Sequence, residues 1–216
     1  MAATLMGFGR LTEAGTMNLK RVAFVLAGLP TVRLVVGMVM DSLGADPVDT
    51  LTRQTGIWSL NFLMMTLAVG PLKRYLGWAW PLKLRRMLGL YSFFYATLHL
   101  AVYVVFEQFF DVAEMITDIV KRPYITAGLL TYLLLLPLAL TSTNGMIRWL
   151  GIYWKPLHRL VYLAAIGGTL HYLWLVKRDI TDPGLYIILL CALLMSRLIS
   201  KRKKGRGSQA NPAGTR

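Results

Sequence analysis

The stretch Leu157–Val176 reads LHRLVYLAAIGGTLHYLWLV, with Arg159 its one permanent charge and two histidines, His158 and His171, thirteen positions apart. Twenty residues at a rise of about 1.5 Å make a helix of about 30 Å, which is the thickness of a bilayer's hydrocarbon core. An ionisable side chain is expensive in such a segment and tends to be kept there for function. The stretch therefore reads as a membrane span that carries chemistry.

Working outward, apolar runs of similar length recur along the chain, and six spans are expected: Val22–Met40, Ile57–Leu72, Met87–Phe106, Tyr124–Leu140, Leu157–Val176 and Gly184–Ile199. Of the 216 residues, 56% are hydrophobic and 16% charged, against about 25% charged in a soluble domain. The second span is, with the sixth, the shortest, and Pro71 and Pro81 bracket the loop after it, where proline ends helices cheaply. The expected fold is an all-α membrane protein, a bundle of about six transmembrane helices. Residues 1–20 read as a polar tail, 21–200 as the membrane domain and 201–216 as a basic, disordered tail. The first apolar run ends without a small-x-small cleavage site, so it reads as a retained span. No internal repeat, domain boundary or soluble cofactor domain is evident.

The net charge of +14 raises the question of nucleic acid. Its placement answers it, because the basic residues sit in the gaps between spans and in the final tail, as topology-setting and headgroup-binding charges do. Lys and Arg divide 18 to 5 between the two sides of the expected bundle, with Arg33 inside the first span, and every acid except Glu13 falls on the poorly basic side. Positive residues favour the cytoplasm, so both termini are expected there.

The three histidines all lie in or at the edge of a span: His99 in the third, His158 and His171 in the fifth. Imidazole is the commonest protein ligand for metals and a usual axial ligand of haem iron. The plain alternative is a hydrogen-bonded histidine at a helix contact. Depth favours the ligand reading. His99 lies about 13 residues past Arg85-Arg86, and His171 lies 13 past His158, so both stand roughly 20 Å from the same face on two parallel helices. Gly167 and Gly168, three to four residues before His171, leave room for a flat macrocycle or serve small-residue helix packing. Tyr95, Tyr103 and Trp174 flank the two positions as haem contacts or as core.

His158 differs: it sits at the basic face beside Lys155 and Arg159, with Arg85 and Arg86 rather than a histidine at its height in the third span. It reads as a ligand to a second haem, a contact to flavin or quinone, or a surface histidine. The single cysteine, Cys191, permits neither a disulfide framework nor a Cys-x-x-Cys-His attachment site, so any haem is held non-covalently, as haem b.

Several stretches also resemble a known family. They are Leu43-Gly44-Ala45-Asp46-Pro47-Val48, Arg85-Arg86-Met87-Leu88-Gly89-Leu90, Ala96-Thr97-Leu98-His99, Arg122-Pro123-Tyr124-Ile125 and Leu157-His158-Arg159-Leu160-Val161-Tyr162, followed by His171-Tyr172. In this order they resemble the MsrQ (YedZ) family, haem-binding membrane subunits related to ferric-reductase-like membrane domains. Arg33 departs from that pattern. The resemblance implies a bacterial inner-membrane subunit with one or two b-type haems and also FMN, its three histidines falling on His99, His158 and His171. It implies electrons drawn from the quinone pool or a cytosolic flavin reductase, and delivered to a periplasmic molybdopterin-containing subunit that reduces methionine sulfoxide in proteins. The chain would then transfer electrons rather than catalyse the reduction. Two other classes compete: a small proton-coupled transporter, which would want carboxylates within the spans, where there are none, and a non-redox membrane anchor.

Overall fold

The computed structural model describes residues 13–176 and 181–209, with side chains from 14 to 199. The described residues are helical, without strands. Five helices are long and apolar enough to cross a membrane, and a sixth apolar helix is shorter. In chain order they are α1 (Glu13–Val39), α2 (Pro47–Leu76), α3 (Arg85–Val102, continued by a wide π turn over Tyr103–Glu107), α5 (Pro123–Leu140), α8 (Leu160–Leu175) and α9 (Thr181–Gln209). Between them lie α4 (Val112–Lys121), α6 (Asn144–Leu150) and the single turn α7 (Trp154–Leu157). The chain is a multi-pass membrane protein.

Local chemistry sets the helix ends. Asp46 caps α2, its carboxylate accepting from the Asp49 amide at 3.0 Å, with Pro47 at the first helical position and the left-handed Gly77 after the last. Asp111 caps α4 through the amides of Ala113 and Glu114. Helix α2 is the longest rather than the shortest, because Pro71 lies within it and does not end it. Membrane helices tolerate an internal proline where neighbouring groups satisfy the freed carbonyl. Helix α4 was not expected at all.

The six spans otherwise fall where the apolar runs place them, with two shifts at the ends. Helix α1 starts at Glu13, inside the tail expected over 1–20, whose first twelve residues lie outside the described ones. Helix α8 starts at Leu160, leaving His158 in the turn after α7. Helix α9 continues to Gln209; the side chains of the expected basic tail 201–216, and its backbone beyond Gln209, lie outside the described residues, as do Lys177 and Arg178.

Outward faces are apolar and inward faces mixed, as a lipid solvent requires. Phe24, Val25, Val32, Leu130, Leu163 and Ile188 are exposed, while Leu60, Leu63, Met64 and Leu67 of α2 pack with Leu135 and Leu138 of α5, Ala164 and Ala165 of α8 and Leu190 and Leu193 of α9. Polar groups tie helices together. Ser59 and Ser92 exchange hydroxyl-to-carbonyl bonds at 2.9 and 3.0 Å between α2 and α3, and Tyr186 of α9 donates to Asn61 of α2 at 2.7 Å. Helix α2 packs along α3, and α5 along α8, much more extensively than the two pairs meet each other. A seam therefore runs between the pairs.

Candidate functional site

His99 and His171 meet across that seam, their ring centroids 6.0 Å apart and their planes at 77°. The expected match in depth is therefore present. Each ring is held the same way. His99 Nδ1 lies 2.8 Å from the carbonyl of Thr52 on α2, and His171 Nδ1 lies 2.7 Å from the carbonyl of Tyr124 on α5. A carbonyl only accepts, so each Nδ1 carries the proton and each Nε2 keeps its lone pair for a metal. A bond from Nδ1–H to a backbone oxygen also fixes the ring and raises its basicity as a ligand.

Two glycines one turn further along α2 and α5 make room for these rings. A Cβ at Gly56 would stand 3.2 Å from His99 Nδ1, and one at Gly128 would stand 3.0 Å from His171 Nδ1. In both pairs the residue whose carbonyl accepts precedes the histidine by 47 positions, and one shift of 72 residues carries Thr52, Gly56 and His99 onto Tyr124, Gly128 and His171. The pairs α2–α3 and α5–α8 thus hold their histidines by the same local arrangement. The two similarly held rings meet edge to face across the seam.

The geometry suits a metal in a macrocycle. Two imidazole–metal bonds of about 2 Å, added to the two ring radii, give a separation close to the 6.0 Å found. Among the described residues no three His, Cys, Asp or Glu side chains converge. His99 and His171 would hold a metal between their Nε2 atoms, and an iron porphyrin would supply one-electron chemistry there.

Other neighbours turn out otherwise. Gly167 packs against the Thr131 hydroxyl, and Gly168 against Thr131 and Leu60, so both let α8 lie close to its neighbours. Tyr95 is core: wholly buried, it donates to the Ala27 carbonyl at 2.8 Å and accepts from Thr31 at 3.0 Å, fastening α1 to α3. Tyr103 donates to Asp118 at 3.2 Å. Trp174 borders a shallow depression with Lys121, Arg122, Pro123 and Tyr124.

His158 is apart from the pair. Its ring stacks on Trp154, with centroids 4.0 Å apart and planes at 27°, and Nδ1 lies 3.2 Å from the Trp154 carbonyl. Trp154 is itself pinned by donating to the Thr141 carbonyl at 3.0 Å. His158 Nε2 is buried with no hydrogen-bond partner, the one such side-chain atom among the described residues, although the Leu138 carbonyl lies near the ring. A buried ring nitrogen so placed could serve as a ligand position. Burial holds the imidazole below its usual pKa, two backbone carbonyls oppose this, and the charge of Arg85 adds to it. Lys155 and Arg159, adjacent in sequence, are exposed. The same 72-residue shift pairs His158 with Arg86, which instead donates to Asn144 at 2.5 Å, so the correspondence does not extend to this end.

A multi-pass helical bundle that presents two imidazoles in one tautomer across its central seam is a membrane redox domain. The chain matches the family described as ferric reductase like transmembrane component over residues 55–169, a span that contains His99 and His158 and stops two residues short of His171. Its relatives are more particular. A protein of Herminiimonas arsenicoxydans is 48% identical over 86% of this chain and 88% of its own length. One of Azospira oryzae is 50% identical over 85% and 79%, and one of Rhodospirillum rubrum 46% identical over 89% and 94%. All three are named protein-methionine-sulfoxide reductase heme-binding subunit MsrQ. The chain belongs to the MsrQ family. No solved structure matches it.

Proposed function

We propose that this protein is the membrane electron-transfer subunit of a methionine sulfoxide reductase system, and that His99 and His171 hold one b-type haem between them. The observation that carries this reading is the pair of rings 6.0 Å apart, each with Nδ1 committed to a backbone carbonyl. The haem, when bound, supplies one-electron chemistry. The chain's own residues do the rest. Thr52 and Tyr124 hold both imidazoles in the ligand tautomer, Gly56 and Gly128 let the rings lie close against α2 and α5, and the leucines of the bundle keep the seam in a low dielectric. His158 serves electron input at the opposite end, as ligand to a second haem or as contact to a donor.

Eighteen basic residues against five orient the bundle with both termini in the cytoplasm of a bacterial inner membrane. His158 then faces the cytoplasmic leaflet, where a quinone or a cytosolic flavin reductase delivers electrons, and the histidine pair lies toward the periplasm, where a molybdopterin-containing subunit takes them. The relatives' name supports a partnership with a methionine sulfoxide reductase; molybdenum, quinone and FMN rest on the family resemblance. A visible spectrum of the purified protein separates this reading from a transporter or an anchor. It predicts a Soret band that shifts on dithionite reduction, and purified, haem-replete expression without such a band would contradict it.

A further inference from the structure

We propose that Arg74, Arg85 and Arg197 form a binding site for a phosphate-bearing anion at the end of the bundle that holds His158. The three come from α2, α3 and α9. Arg74 donates to the Ser196 carbonyl at 3.1 Å, which lays it against α9 one residue before Arg197. The Arg197 guanidinium sits 4.8 Å from the centre of the Tyr162 ring, and a Cβ on Gly70 would stand 3.2 Å from its Nη2, so α2 leaves a gap that this group fills. The charges of Arg74 and Arg85 both act on Arg197, and that of Arg85 also acts on His158.

No carboxylate among the described side chains offsets this cluster. The only ion pair among the described residues joins Arg122 to Asp118, and the acids with described side chains lie in the connections at the opposite end of the bundle. Charges that merely set topology stand apart in water. Here Arg74 lies against α9 beside Arg197, and Arg85 and Arg197 are partly withdrawn from solvent, which is costly for like charges without a counter-ion. An anion removes that cost, and guanidinium forks match phosphate oxygens in pairs. The site stands whether or not His158 binds a haem.

Phosphate chemistry reaches this position from a lipid headgroup or from a soluble phosphate. The test uses the full-length protein in an uncharged detergent and follows its thermal midpoint. One arm adds inorganic phosphate against chloride at equal ionic strength, and the other adds phosphatidylglycerol against phosphatidylcholine. Stabilisation by either probe supports the site and identifies the source. Arg197→Gln and Arg74→Gln should weaken the response about tenfold, while Arg148→Gln, an exposed arginine of α6, should not. On wild type alone, the active probe should also slow phenylglyoxal modification of Arg74 and Arg197, read by peptide mass spectrometry. No stabilisation by either probe, an equal response in all variants, or no protection of wild type overturns the proposal.

Discussion

Gly128 and His171 stand so close that a methyl group on the glycine would press into the imidazole at 3.0 Å. Alanine normally favours a helix over glycine by about 1 kcal/mol. Gly128→Ala should nevertheless lower haem affinity by about tenfold, as loss of a ligand's support does. Gly56→Ala, with 3.2 Å to His99, should do the same more weakly. Haem content per protein checks both, and unchanged haem in a Gly128→Ala protein would show that the ring is not held where a metal needs it.

His158 lies at the other end of α8 from His171, about 20 Å along the chain by helical rise. Its replacement by alanine should leave the low-spin spectrum of the histidine pair largely intact and slow reduction by the physiological donor. Dithionite, which needs no docking site, should still reduce the protein. Stopped-flow absorbance reads both, and a wild-type rate with the physiological donor would reduce His158 to a surface residue.

The outer connection between α3 and α5 depends on one buried carboxylate. Asp118 accepts from Gln108 at 2.8 Å and Tyr103 at 3.2 Å, and pairs with Arg122 at 3.0 Å. Asp118→Ala leaves these donors without their acceptor and should cost about 1–3 kcal/mol, seen as a lower thermal midpoint in detergent. The haem spectrum should not change, because α4 lies outside the seam. A wild-type midpoint would mean that α4 is not anchored through this group.

Reporters give the orientation. Fused after Arg216, a fluorescent protein that matures in the cytoplasm should be bright and alkaline phosphatase inactive, since Lys and Arg divide 18 to 5. Active phosphatase at that position would reverse the direction of electron flow assigned to the two ends.

Six spans and the meeting of His99 with His171 were legible in the sequence, because apolar length and residue counting report depth directly. What was missed shares a physical cause. The groups that hold the rings are the backbone carbonyls of Thr52 and Tyr124, and a carbonyl leaves no mark on residue identity. The repeated arrangement is equally hidden, since Thr52 corresponds to Tyr124 and Arg86 to His158. Its trace in the sequence is the equal separation from Gly56 to His99 and from Gly128 to His171. Helix α4 escaped notice because ten residues are too few for a span. The extent of α2 exceeds the expected span because Pro71 does not end a membrane helix as it does a soluble one, and of the two readings of Gly167 and Gly168 their contact with Thr131 favours helix packing.

The central claim is that His99 and His171 are the two axial ligands of one haem. Low-temperature electron paramagnetic resonance on purified wild type, His99→Ala and His171→Ala tests it most directly, with haem quantified on the same samples. The account predicts that each single variant loses the same low-spin signal, through loss of the haem or its conversion to high spin, while His158→Ala keeps it. Retention of that signal and of wild-type haem content in either His99→Ala or His171→Ala would contradict it.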